Sequence, residues 1–229
     1  MRRFKVVTIL TVLVAMAATP LAHTRQPPKP RRAQEAMKRH REKTRGTVTT
    51  REALLEVLRS QGVPGGIIIP SQCDEPPRHR RPSGSSLREL LNSIVAADPQ
   101  YQWRIDGGMV NLIPAGYVST LLKVRIARFR AEHVRTPNEA LGKLFDTPEV
   151  QKAMTDPAVG SRLLRGGIGY YDPNPDASGG IKTFSVSRDN VTVREALNAI
   201  AHADGRAVWV YKQGRCKGSS FFEIGFSGL

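Results

Sequence analysis

The sequence predicts an α+β fold of two duplicated βαββαββ-type modules, with amphipathic helices packed on small mixed or antiparallel sheets. Three observations carry this. A Ser/Thr-x-x-Glu helix-start signal recurs four times in one register. Hairpins of similar build follow the second and fourth of these, and short apolar segments bounded by Gly or Pro stand between them. The modules fall at 47–118 and 119–229, the second with an inserted loop over 154–180.

Ahead of the modules, residues 1–22 read as a secretory signal peptide: Arg2, Arg3 and Lys5, then an apolar run from Val6 to Ala18. Ala15-Met16-Ala17 offers a cleavage site and Ala22 a poorer one, behind Pro20. An uncleaved anchor helix is the alternative, at the short end of the spanning range. Residues 23–46 form a basic linker rich in Gln, Pro, Arg and Lys, with too little apolar surface to offset the entropy of ordering. The chain is therefore expected to be exported, to the periplasm or beyond.

The charge follows the same division. The net +15 includes nine basic and two acidic residues over 24–46, while residues 47–229 hold 23 basic and 18 acidic. A uniformly basic nucleic-acid-binding domain is excluded, and no nucleic-acid partner is expected. Arg31, Arg32, Lys38, Arg39 and Arg41 in the linker are candidate contacts to an anionic surface, lipid or cell-wall polymer. Arg125 and Arg128, with Lys123 and Arg130, are a second candidate stripe, on or just after a strand expected over Leu122–Ile126.

The four capping boxes are Thr49 with Glu52, Ser86 with Glu89, Thr136 with Glu139, and Thr192 with Glu195. Behind each, apolar or small residues follow the i, i+3, i+4, i+7, i+8 stripe of a helix with one buried face. The stripe leaves Arg51, Glu56, Arg88 and Arg194 solvated. Gly62, Asp98-Pro99 and Gly205 stop three of the helices.

Trp103 and Trp209, the only tryptophans, each stand 17 residues beyond their cap and are assigned to the core. Tyr101–Ile105 turns at Asp106-Gly107-Gly108 and returns as Met109–Ile113; Ala207–Tyr211 turns through Gln213–Gly218 and returns as Phe221–Phe226. Further strands are expected at Gly66–Ile69 and Phe184–Val186. The first half shows no opening strand, and its Arg78–Arg81 segment reads as a loop without a counterpart.

Phe184–Leu197 with the hairpin behind it resembles the secretin and TonB short N-terminal (STN) module. Ser86–Leu91 with Tyr101–Ile113 extends the resemblance to the first half, so that it covers roughly 47–114 and 121–226. The resemblance implies a small α/β module that binds partner proteins at the periplasmic end of outer-membrane machines. No β-barrel or secretin body follows, so it implies neither a receptor nor a pore; two stand-alone copies fit an envelope adaptor.

Cys73 and Cys216 form an even pair in an exported chain and are a candidate disulfide, with unpaired thiols as the alternative. The sequence contains no G-x-S-x-G, Walker A, H-E-x-x-H or C-x-x-C pattern, so no catalytic residue, metal ligand or cofactor is assigned. Asp172-x-Asn174-x-Asp176 lacks the glycine and glutamate of a calcium loop. Gly65-Gly66, Gly107-Gly108, Gly166-Gly167 and Gly179-Gly180 read as turns, and the five histidines as surface residues. The leading expectation is an exported, non-enzymatic interaction protein with an envelope protein partner. An anionic-surface binder acting through the basic arm and an unrecognised envelope hydrolase are the alternatives.

Overall fold

Helix starts organise the molecule, whose residues 46–71, 76–117, 119–162, 182–216 and 218–228 are described by a computed structural model. Thr49, Ser86 and Thr192 each accept the N–H of the glutamate three residues on, and that carboxylate accepts the cap's own N–H in return. Thr136 accepts from Glu139 in the same way, but Glu139 turns its carboxylate to the Arg135 N–H, 2.8 Å away. The helices so begun are α1 (Thr50–Gln61), α2 (Leu87–Ala97), α4 (Pro137–Phe145) and α6 (Val193–Asp204). The short helices α3 (Thr120–Lys123) and α5 (Pro148–Met154) complete the set among the described residues. Gly62 and Gly205 end α1 and α6 in the left-handed conformation that favours glycine.

The strands alternate with these helices. The first half holds β1 (Thr47–Thr49), β2 (Gly65–Ser71), β3 (Arg78–Arg80), β4 (Tyr101–Asp106) and β5 (Met109–Pro114). The second holds β6 (Arg125–Val134), β7 (Ser161–Arg162), β8 (Phe184–Thr192), β9 (Ala207–Cys216) and β10 (Ser219–Gly228). Pairing follows one scheme in both halves. β1 and β3 form an antiparallel ribbon, as do β6 and β8; the hairpins β4–β5 and β9–β10 are antiparallel; β2 runs parallel to β5, and β7 parallel to β10.

The two three-stranded pieces do not stay apart. β2 pairs in parallel with β9, from Gly65 opposite Val208 to Ser71 opposite Gly214. One six-stranded sheet results, in the order β4-β5-β2-β9-β10-β7. Thr44–Leu229 is a single compact unit. Position 118/119 lies within this unit, and each of its two cores draws residues from both sides of it. Across the seam the order of corresponding strands repeats while their directions reverse, so the second half is turned over and its helices lie on the opposite face.

Side-chain alternation confirms the layering. Ile67, Val110, Leu112, Val208 and Val210 join α1 and α2 in one core. Ile68, Met109, Ile113, Trp209 and Tyr211 join α4, α6 and the β6–β8 ribbon in the other. β5 is buried along its whole length. Continuous apolar runs such as Ile67-Ile68-Ile69 mark strands covered on both faces.

Several local expectations are corrected. The opening strand of the first half exists as Thr47–Thr49, too short to show an alternation. Arg78–Arg80 is its partner strand, held by backbone pairing and by Arg78 Nη2 donating to the Thr47 carbonyl at 2.8 Å. The strand placed at Leu122–Ile126 starts only at Arg125, because Ser119 caps a helical turn that buries Leu121 and Leu122. β9 and β10 run past the expected turn to Cys216 and Ser219, since backbone pairing carries on through polar residues.

Gly65 and Gly66 are strand residues of the seam, not a turn. A Cβ on Gly66 would overlap the Trp209 indole, and one on Gly65 would lie 2.6 Å from the Val110 carbonyl oxygen. Gly107 and Gly108 do form the β4–β5 turn, both at positive φ. Gly166-Gly167, Gly179-Gly180 and the Asp172–Asp176 segment lie outside the described residues.

Candidate interaction cleft

The first turn of α1, the end of β2, the α2–β4 corner and the far half of β9 enclose a cleft of about 910 Å³. Its polar centre is Asp98, which ends α2 and is only 5% exposed. The Thr50 hydroxyl donates to Asp98 Oδ2 at 2.5 Å, and His79 Nε2 on β3 lies 3.5 Å from the same oxygen. That contact is an ion-pair distance without hydrogen-bond alignment, since His79 Nε2 is buried and has no hydrogen-bond partner. Burial, and next the Asp98 carboxylate, push the Tyr101 phenol above its ordinary range.

Charges line the walls. Arg51 enters from α1 with a buried Nε that finds no hydrogen-bond partner, and Lys212 enters from β9. Glu52 is engaged by the Thr49 N–H at 2.8 Å and by Arg78 at 3.5 Å. Gln213 is fixed in the β9 wall because its Oε1 accepts from the hydroxyls of Tyr117 (2.7 Å) and Tyr211 (3.0 Å). Burial pushes the Tyr117 phenol up to about 12. Pro70, Pro76 and Pro77 supply a stiff apolar rim.

The second half builds the same corner without this polar group. Residue 50 follows its cap as Pro137 follows Thr136, and Asp98 and Asp204 each stand 12 residues beyond their caps. His79 pairs with Val48, the residue before the Thr49 cap, and the same place in the second half, beside the Val134–Phe184 pair, falls at Thr183. Proline and threonine therefore stand where the first half has threonine and histidine. The fold itself therefore does not require Thr50 and His79. The Thr50 hydroxyl is committed to a carboxylate, so the corner can hold a ligand by charge and hydrogen bonds but presents no histidine-activated nucleophile.

Other candidate residues are dispersed. Arg125 Nη1 donates to the Asn190 carbonyl and side-chain oxygens at 2.9 and 3.0 Å, while Arg128 meets Asp189 at 3.6 Å with both side chains mostly exposed. They do not converge on one anion site. Arg31, Arg32, Lys38, Arg39 and Arg41 lie outside the described residues, as does Cys73; Cys216, at the end of β9, is disulfide-bonded. Arg51 and Arg194 are half-buried and not simply solvated. For Arg194, burial first and then Arg104 lower the guanidinium below its usual range.

Trp209 is fully buried and its indole N–H donates to Asn198 at 2.7 Å. Trp103 is only partly buried, donates to Asn92 at 3.0 Å, and carries the Arg88 guanidinium 5.7 Å above its ring. Among the described residues no group of three or more His, Cys, Asp or Glu is placed to hold a metal ion, and no helix is long and apolar enough to cross a membrane.

Sequence reasoning placed Thr50 in a helix stripe and His79 on the surface, and missed their meeting at Asp98. The available signal was Pro137 standing directly after its cap where the first half has Thr50. No family model, curated protein or solved structure matches the chain.

Proposed function

We propose that this chain is an exported adaptor of the bacterial envelope, built from two STN-like modules, which binds a partner protein through the first-half cleft. The observation that carries the reading is the Thr50–Asp98–His79 group, which the corresponding corner of the second half does without. A feature absent from one of two equivalent corners is free to serve binding. Arg51 and Lys212 give the cleft two cationic side chains toward an acidic or carboxylate-bearing segment. The rim prolines favour an extended ligand over a reorganising pocket. The export signal and the basic arm read from the sequence support the compartment.

The test is photo-crosslinking from positions 51 and 212 in cells that export the full chain, with positions 128 and 130 as surface controls. One reproducible protein adduct is expected from the cleft positions, and it should be lost in Thr50→Val with His79→Ala. Adducts that persist in that variant, or vanish only when 25–45 is deleted, would move the function to the basic arm.

A further inference from the structure

His79 and Asp98 meet beside the cleft in a contact that a neutral imidazole leaves incomplete. His79 Nε2 is buried, lies 3.5 Å from Asp98 Oδ2 and has no hydrogen-bond partner, while the same oxygen accepts from the Thr50 hydroxyl. With the proton on Nε2, the N–H is misaligned with the carboxylate. With the proton on Nδ1, a lone pair faces a negative oxygen. An imidazolium needs only proximity, because charge attraction tolerates misalignment and both side chains are largely out of water, 22% and 7% exposed.

The other charges around His79 are committed elsewhere or point away. Arg78 and Arg80, its neighbours on β3, alternate to the opposite side of the ribbon, Arg78 toward Glu52 at 3.5 Å. On α1, Glu56 is held by Arg81. β1 sets the apolar Val48 opposite His79. The α2–β4 corner brings Asp98 and the Tyr101 phenol, which burial and then Asp98 push above its ordinary range. Among the described residues, Asp98 is the carboxylate within ion-pair reach of this imidazole.

The charge of the cleft turns on that contact. Its lining sets Arg51 and Lys212 against Glu52 and Asp98, an even balance while His79 is neutral. Imidazole is the side chain that gains its charge between about pH 8 and about pH 5. A proton on His79 offsets Asp98 and tips the cleft positive. The second-half corner, with Pro137 and Thr183, has no imidazole, so the device is confined to the first half. We infer that His79 is an acid-operated switch on the cleft: once protonated it pairs with Asp98, and the cleft then holds an acidic segment more tightly, a gain that rests on reading the cleft as a site for such segments.

Experiments on the full chain test the switch and the ligand separately. By imidazole NMR, His79 should titrate at lower pH in Asp98→Asn, which keeps an acceptor for Thr50, while the exposed His133 and His202 stay unchanged. The thermal midpoint of the unaltered chain should exceed that of His79→Gln at about pH 5.5 and approach it by about pH 8. The sign follows because a pairing made only by the folded imidazolium is present at low pH and lost as pH rises. Hexaglutamate, compared at about pH 7.5 and about pH 6 so that its own carboxylates stay charged, should bind about fivefold tighter at the lower pH, the gain expected from one added charge. His79→Gln should abolish that difference. A His79 titration unmoved by Asp98→Asn, a thermal gap independent of pH, or hexaglutamate held equally at both pH values would each overturn the switch. Hexaglutamate that binds at neither pH, with the titration and thermal gap as expected, would overturn the acidic-segment reading and leave the His79–Asp98 pairing standing.

Discussion

The two halves of the molecule share one strand-pairing scheme, with two further short helices in the second, and their tryptophans live in different surroundings. Trp209 lies at the centre of the sheet, sealed over Gly66 by the pairing of β2 with β9. Trp103 stands on an edge that no strand covers among the described residues, with an arginine above its ring. Both indoles donate to an asparagine 11 residues earlier, on the preceding helix. The local architecture is therefore the same, and the difference lies in which edge has found a strand. Each half gives one strand to the seam, and the first also holds the polar cleft and an edge that no strand covers among the described residues.

The seam is the most sensitive place to test this contrast. Gly66→Ala should cost about 3 kcal/mol or more, because a Cβ there meets the indole and strand backbone leaves no room for relief. Urea unfolding followed by tryptophan fluorescence should show a lower midpoint with one cooperative transition, because both helix layers share the sheet. Two separate transitions would mean that the halves fold as independent units.

Next comes the pair of tryptophans. Trp209→Phe removes a buried hydrogen bond and ring volume and should cost about 2 kcal/mol, whereas Trp103→Phe should cost less than about 1 kcal/mol. Equal losses in denaturant midpoint would contradict the core-versus-edge distinction.

Thr50→Val leaves Asp98 without its hydroxyl donor and should cost about 1.5 kcal/mol. Pro137, its counterpart, has no such hydroxyl, and Pro137→Ala should stay within about 1 kcal/mol. Thermal unfolding of the two variants side by side checks the asymmetry of the corners.

The smallest effect concerns the caps. The Thr192 N–H, then its hydroxyl, hold the Glu195 carboxyl below its usual range. A depressed carboxylate stabilises the fold above its unfolded value of about 4.3, and that contribution is lost as pH falls through the folded value. Glu195→Gln should therefore lower stability at neutral pH, with the gap to the unaltered chain closing as pH is brought below about 4. A gap independent of pH would assign the cap's contribution to packing.

Much of each half was legible without coordinates. The hydroxyl–glutamate spacing gives helix starts because both partners lie within one turn, and Gly107-Gly108 gives a hairpin for the same local reason. The stripe behind Thr49 names Thr50, Ala53, Leu54, Val57 and Leu58, and these five are buried. The stripe behind Ser86 is less complete: of Leu87, Leu90, Leu91, Ile94 and Val95, only Leu91 and Ile94 are fully buried. The α2 layer stands at the edge of the sheet, so fewer neighbours cover it. His79 and Asp98 are 19 positions apart and meet only through the pairing of β3 with β1, a non-local event that no spacing encodes.

By itself, then, the sequence determined the α+β class, the capped helices, their buried faces and the hairpins, since these depend on contacts within a few residues. Tertiary structure alone decided that two expected sheets become one, that Gly66 is a seam residue beneath Trp209, and that the halves face opposite ways. The reason is physical. Periodicity reports which side chains leave water, but an apolar run such as Ile67-Ile68-Ile69 is equally satisfied by a helix layer, a ribbon or a neighbouring strand. Only the global packing selects among them.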